Sequence, residues 1–125
     1  MRLFSHHADE NENQGSIIKT DLDAFPYMID FADGMATGVT ITSAAVSAVD
    51  SQNVSNSNIA NAVGTVSGNY VTVNLKTGGA GGTGAAADGA RFRVRTAATL
   101  SSGATPLVFD VFILIQAPAY SPLTA

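Results

Sequence analysis

Tyr70-Val71-Thr72-Val73-Asn74-Leu75-Lys76 places Val71, Val73 and Leu75 on one side of an extended chain and Tyr70, Thr72, Asn74 and Lys76 on the other. Successive side chains of a strand point to opposite faces, so this two-residue period predicts a β-strand that covers a core on one face only. Arg91-Phe92-Arg93-Val94-Arg95-Thr96 repeats the pattern, with Phe92 and Val94 inward and three arginines outward, and reads as its partner strand. Between the two lies a connection rich in glycine, Gly78 to Gly89.

Outward from this pair, the same alternation recurs. Beyond a turn at Ser101-Ser102-Gly103, the stretch from Pro106 to Ala117 sets Leu107, Phe109, Val111, Ile113 and Ile115 on one face. Its other face, with Val108, Phe112 and Leu114, is also apolar, which predicts a strand covered on both sides. Upstream, residues 51–69 are rich in Asn and Ser with scattered Val54, Ile59, Val63 and Val66, enough for one or two short strands. Val39 to Val49 has apolar residues at 39, 41, 44, 46 and 49, and the slip at Ala44-Ala45 predicts a bulge. Phe25 to Phe31 reads as an opening strand that Pro26 confines to a sheet edge or a strand start, because proline has no N–H for the ladder; Asp33-Gly34 ends it.

Residues 1–16 are polar, acidic and rich in Asn, a composition with too little apolar surface to offset the entropy of ordering, and they read as a flexible arm. Leu3 and Phe4 are its candidate anchors for a partner. About seven short strands with a turn every ten or so residues fit an all-β fold, an immunoglobulin-like antiparallel β-sandwich. The division expected is an acidic N-terminal arm over residues 1–16, a sandwich over 17–118 and a tail over 119–125. The Cys and Trp signature of antibody domains is absent, so the assignment rests on spacing and alternation.

The 125 residues suffice for one core. Only 13% of them are charged, against roughly 25% in an ordinary soluble protein. A weakly charged Ser/Thr/Asn-rich surface suits a chain whose faces are covered by neighbours. The net charge of −4 is unevenly spread: residues 1–50 carry eight acids against two cations, and residues 51–125 carry four cations against two acids. Opposed halves of this kind can attract head to tail in a homo-oligomer, and the plainer reading is a solvated acidic arm. Nucleic acid is not an expected partner, because phosphate binding requires a concentrated basic face. With no cysteine, neither a disulfide framework nor a thiolate zinc site is possible. The first fifteen residues lack the apolar run of a signal peptide, and no stretch approaches the roughly 20 apolar residues of a membrane helix, so synthesis in the cytoplasm and no membrane partner are expected.

Motifs that would carry chemistry are weak. Gly79-Ala80-Gly81-Gly82-Thr83-Gly84 matches GxGxxG in form, but a strand and not a helix follows it, and the acid about twenty positions on is missing. His6-His7 lacks further fixed ligands. Asp21, Asp23, Asp30 and Asp33 do not have the spacing of a calcium loop and read as turn and cap residues. Asn53-Val54-Ser55 is a glycosylation sequon without a secretory signal. The expectation is therefore a chain that is no enzyme, with no cofactor, no metal and no small-molecule substrate. The remaining candidates are Arg91, Arg93 and Arg95, a row about 7 Å apart on one strand face, either solvated or paired with carboxylates of a neighbouring subunit.

The order of Asp21-Leu22-Asp23, Ile29 to Asp33, Thr40 to Val46, Thr77 to Thr83, Arg91 to Thr96, Ser101 to Gly103 and Val108 to Ile115 resembles the small immunoglobulin-like structural proteins of tailed bacteriophages, the fibre-tail adaptors and neck or tail virion proteins. Tryptophans that this family usually has in its opening segment are missing here, and Ala85 to Gly89 lengthens the glycine loop. The resemblance implies a virion structural protein, made in the host cytoplasm, that attaches fibres or neighbouring neck, tail or capsid subunits by protein–protein contacts. A capsid decoration protein and a carbohydrate- or surface-binding β-sandwich module are the alternatives.

Overall fold

The computed structural model describes residues 2–8, 13–20, 23–57, 59–76 and 91–116. Eight strands account for most of them: β1 (Arg2–Ser5), β2 (Gln14–Thr20), β3 (Pro26–Asp30), β4 (Ile41–Asp50), β5 (Thr65–Ser67), β6 (Tyr70–Asn74), β7 (Arg91–Leu100) and β8 (Leu107–Gln116). They form two four-stranded sheets, in the orders β1-β3-β6-β5 and β2-β8-β7-β4. The fold is an all-β sandwich, as the alternation predicts, with eight strands in place of about seven. Between β3 and β4 the described helical structure is a single 3-10 turn over Ala32–Gly34, at the predicted Asp33-Gly34 break.

The inner faces interdigitate. Tyr27, Ile29 and Phe31 from the first sheet, with Val71, Val73 and Leu75, meet Phe92, Val94, Phe109, Val111, Ile113 and Ile115 from the second, all nearly inaccessible to water. Alternation is regular because every second residue of β7 and β8 is inward: Phe92, Val94, Thr96, Ala98 and Leu100 on one, Phe109 to Ile115 on the other. Full burial of such side chains contributes about 1.5–3 kcal/mol each, enough for packing alone to hold a chain without disulfides.

Several sequence expectations are corrected. β6 does not pair with β7: β6 lies between β3 and β5, while β7 lies between β4 and β8 in the opposite sheet. β1 to β5 alternate between the sheets, whereas β5 with β6 and β7 with β8 are neighbours within one sheet, so β6 and β7 do not form a hairpin. The bulge in β4 is at Thr42, between the Ile41 and Ser43 pairs, two residues before the expected slip. Both sheets also carry one parallel pair, β1 with β3 and β2 with β8, so the sandwich is not wholly antiparallel.

Residues 2–8 and 13–16 do not form an arm separate from the sandwich. Arg2–Ser5 completes the first sheet against β3, and Gln14–Thr20 edges the second against β8. The physical reason is Phe4, whose ring meets Tyr27 edge-on at 5.7 Å and tilts against Phe109 at 5.6 Å, across the bare Cα of Gly15. One aromatic side chain in the gap between the sheets, together with a ladder, supplies the ordering energy that the polar composition conceals.

Edges are handled differently on the two sides. The edge of β4 is occupied by residues 54–64, through bridges Ala45–Val63 and Val49–Ser55 and the hydrogen bonds from Val46 N to Ala62 O and Asn56 N to Ala48 O, each 2.9 Å. β2 has no strand beyond it among the described residues. It turns Lys19 inward, only 2% exposed, with Nζ donating to the Thr20 carbonyl at 2.7 Å. An inward charge on an edge strand disfavours further strand addition there.

Candidate docking face

The outer face of the second sheet can be built row by row from its register. Ile18, Leu114 and Arg91 stand side by side across β2, β8 and β7; the next row is Ser16, Phe112, Arg93 and Val49; the next is Gln14, Asp110, Arg95 and Ser47. Because inner positions of β8 hold Phe109, Val111, Ile113 and Ile115, the pleat forces Val108, Phe112 and Leu114 outward.

No described element covers this face. Ile18 is 61% exposed and Phe112 43%, with Val108 also exposed and Leu114 half-buried. The expectation that β8 is covered on both sides is thus corrected: within the described chain its second apolar face is open. Phe112 stands as a ridge between two shallow depressions, one of about 330 Å³ bordered by Ser16, Ile18, Leu114 and Arg91, the other of about 250 Å³ bordered by Val49, Ser51, Asn53 and Arg93. A cluster of large apolar side chains rimmed by cations is the surface pattern of a protein contact, where aromatic residues and arginines concentrate binding energy.

The three arginines have separate fates. Arg95 makes a two-pronged pair with Asp110, Nε to Oδ1 at 2.8 Å and Nη2 to Oδ2 at 2.9 Å, and the carboxylate hydrogen bond raises the guanidinium pKa. Arg91 and Arg93 have no ion pair among the described residues. Arg93 is half-buried between Phe112 and Val49, and its Nε is enclosed without a hydrogen-bond partner there. Asp50, opposite Phe92 at the end of β4, is occupied by its own turn: Oδ1 accepts from the amides of Gln52 at 2.8 Å and Val54 at 3.0 Å. That turn places Asn53 at φ 62°, a left-handed conformation that Asn tolerates well.

Leu3 and Phe4 separate. Leu3 is 56% exposed on the outer side of β1, but Phe4 turns inward, so Phe4 is no surface anchor. The strand alternates, and only one of two adjacent residues can face out.

The other polar corner lies at the end of β1. His6 is buried against the Phe31 ring at 5.5 Å and against the Cα of Gly34, and its backbone N–H donates to the Asp30 carbonyl at 2.8 Å. Burial lowers its pKa; Asp33 nearby acts in the opposite direction and His7 in the same one. Asp33 Oδ2 accepts from the Ala8 amide at 2.9 Å and lies 4.0 Å from His7 Nδ1. Asp23 Oδ2 accepts from the Thr20 amide and Asp30 Oδ1 from the Ala32 amide, both 2.9 Å, in the turn roles expected of them. Among the described residues no three His, Cys, Asp or Glu side chains are arranged to hold a metal ion, and no helix is long and apolar enough to cross a membrane. The GxGxxG stretch and Asp21 lie outside the described residues.

Sequence reasoning missed Ile18 altogether. Its signal was present in Ser16-Ile17-Ile18-Lys19, a β-branched pair in which one isoleucine must face away from the core. Compared with protein-family models, with curated proteins and with solved structures, the chain has no significant match.

Proposed function

We propose that this chain is a non-enzymatic virion structural subunit of a tailed bacteriophage, an adaptor in the neck or tail region that attaches fibres or neighbouring subunits through protein–protein contacts. The observation that carries this reading is the uncovered outer face of the second sheet, where Ile18, Phe112 and Leu114 lie beside Arg91 and Arg93. A rigid two-layer scaffold fixes these side chains in position, so little conformational entropy is lost when a partner covers them. The order of turn and strand motifs from Asp21 to Ile115 supports the phage assignment by resemblance.

A sugar-binding module needs aromatic rings grouped along one groove. Among the described residues the exposed aromatics, Tyr70 on β6 and Phe112 on β8, belong to different sheets. The test is immunogold labelling of purified virions with antibody to this chain, alongside mass spectrometry of their protein content. Label at the neck or tail is the expected result. Label spread over the capsid would favour a decoration protein, and particles without the chain would overturn a virion role.

A further inference from the structure

Two guanidinium groups of the docking face have no carboxylate beside them among the described residues. Arg91 and Arg93 lie on either side of Phe92 on β7, and neither makes an ion pair there. Arg93 is the more constrained, because Phe112 and Val49 flank it in the register and its Nε is enclosed without a hydrogen-bond partner. An enclosed N–H that makes no hydrogen bond costs its full desolvation, and the cost is larger on a charged group. Each described carboxylate is already engaged. Asp110 holds Arg95, Asp50 accepts from the Gln52 and Val54 amides, Asp23 from the Thr20 amide, Asp30 from the Ala32 amide, and Asp33 from the Ala8 amide with His7 Nδ1 4.0 Å away. The described chain thus offers Arg91 and Arg93 no carboxylate of its own.

The apolar part of the face has a shape that limits what covers it. Phe112 separates a depression over β2 and β8, bordered by Ser16, Ile18 and Leu114, from one over β7 and β4, bordered by Arg93 and Val49. The two are about two strand spacings apart, roughly 10 Å, and Arg91 borders both. Two copies set face to face would crowd the arginines of both together, and like charges in a desolvated contact oppose that arrangement. A nucleic acid would set its sugar–phosphate backbone against Ile18, Phe112 and Leu114, which offer it no hydrogen bond.

Resting on the adaptor reading above, we infer that this face takes an acidic, apolar segment of a different protein, with one apolar side chain in each depression astride Phe112 and a carboxylate between them held by Arg91 and Arg93. The apolar contacts supply affinity. The guanidinium–carboxylate bonds satisfy the enclosed Nε–H and select against neutral and basic partners, which would leave it unmet.

The experiment is selection of a random peptide library on the immobilised full chain, followed by titration of synthetic copies of the enriched peptides by fluorescence anisotropy. Enriched peptides are expected to combine Asp or Glu with two large apolar residues. Their affinity is expected to fall at least about tenfold when their acids are replaced by amides, and likewise on Phe112→Ala and on Arg91→Glu/Arg93→Glu. Circular dichroism melting checks that each variant is folded, and the peptide amide series does not depend on the variants. Enrichment of basic or uncharged peptides, affinity that Arg91→Glu/Arg93→Glu leaves within about twofold, or no peptide binding at about 100 µM overturns the inference. Sedimentation of the chain alone supplies a further arm: self-association that is lost in Arg91→Glu/Arg93→Glu assigns the face to a second copy and overturns it as well. The selection uses no virion, so a basic consensus leaves the adaptor reading standing, whereas virions that lack the chain remove that reading and leave the peptide result unchanged.

Discussion

Arg95 and Asp110 are direct cross-strand neighbours on β7 and β8, and their side chains close a two-pronged ion pair on the outer surface of the second sheet. The guanidinium is 45% exposed and the carboxylate 18%, so water and salt screen the pair. Asp110→Asn is expected to cost only about 0.5–1 kcal/mol, read as a small shift of the urea midpoint. The pair also sets Arg95 apart from Arg91 and Arg93, which have no ion pair among the described residues.

Phe4 lies over Gly15, and a Cβ on Gly15 would collide with the ring. Gly15→Val must therefore expel Phe4 from its place against Tyr27 and Phe109. This substitution and Phe4→Ala are expected to destabilise by a similar amount, about 2 kcal/mol, and to be less than additive when combined. Urea denaturation of the two single variants and the double variant measures both statements. Hydrogen exchange over Arg2–Ser5 is expected to accelerate in each.

His6 makes the fold sensitive to mild acid. Its pKa is lowered from 6.5, first by burial, with Asp33 opposing and His7 adding to the effect. The unfolded chain therefore takes up its proton at a higher pH than the folded one, and stability rises with pH over that interval. Stability is expected to fall as pH drops below about 6.5, and to stop falling from this cause once the folded-state value is passed. Melting temperature measured from about pH 7.5 to about pH 5 checks the slope, and His6→Phe is expected to flatten it.

The hydroxyls of Tyr27 and Thr96 are enclosed in the core, from the first and second sheets respectively, and burial pushes the phenol pKa far up. They are neighbours, yet neither has a hydrogen bond of good geometry among the described residues. Removing both polar groups relieves two desolvation costs at once. Tyr27→Phe/Thr96→Val is expected to be neutral or stabilising by up to about 1 kcal/mol in urea denaturation.

The strands that pattern reasoning finds are those whose alternation runs long enough to be unambiguous, such as Val71-Val73-Leu75 and Phe109-Val111-Ile113-Ile115. Their partners were less legible, because period and turn spacing carry no information about which layer a strand joins; β6 and β7 lie in different sheets despite adjacent places in the sequence. β1 was hidden for another reason. Its order depends on one ring, Phe4, whose burial requires β3 and β8 to exist first, and no local composition records that. The candidate face was half legible: the arginine row was visible as an outward face, while its division into Arg95, paired, and Arg91 and Arg93, unpaired, required the β7–β8 register that sets Asp110 opposite Arg95.

The parallel pairing of β2 with β8 joins residues that are 96 positions apart, Gly15 with Val111 for example. During translation β2 therefore waits for β8, made about ninety residues later, before its edge of the sandwich can close. Copies made on one polysome pass through this interval together, each with a waiting β2, and each offers a berth beside β8 once that strand emerges. A reciprocal exchange of β2 between nascent copies would satisfy the same ladder, and release of a folded single copy depends on intramolecular closure being the faster event.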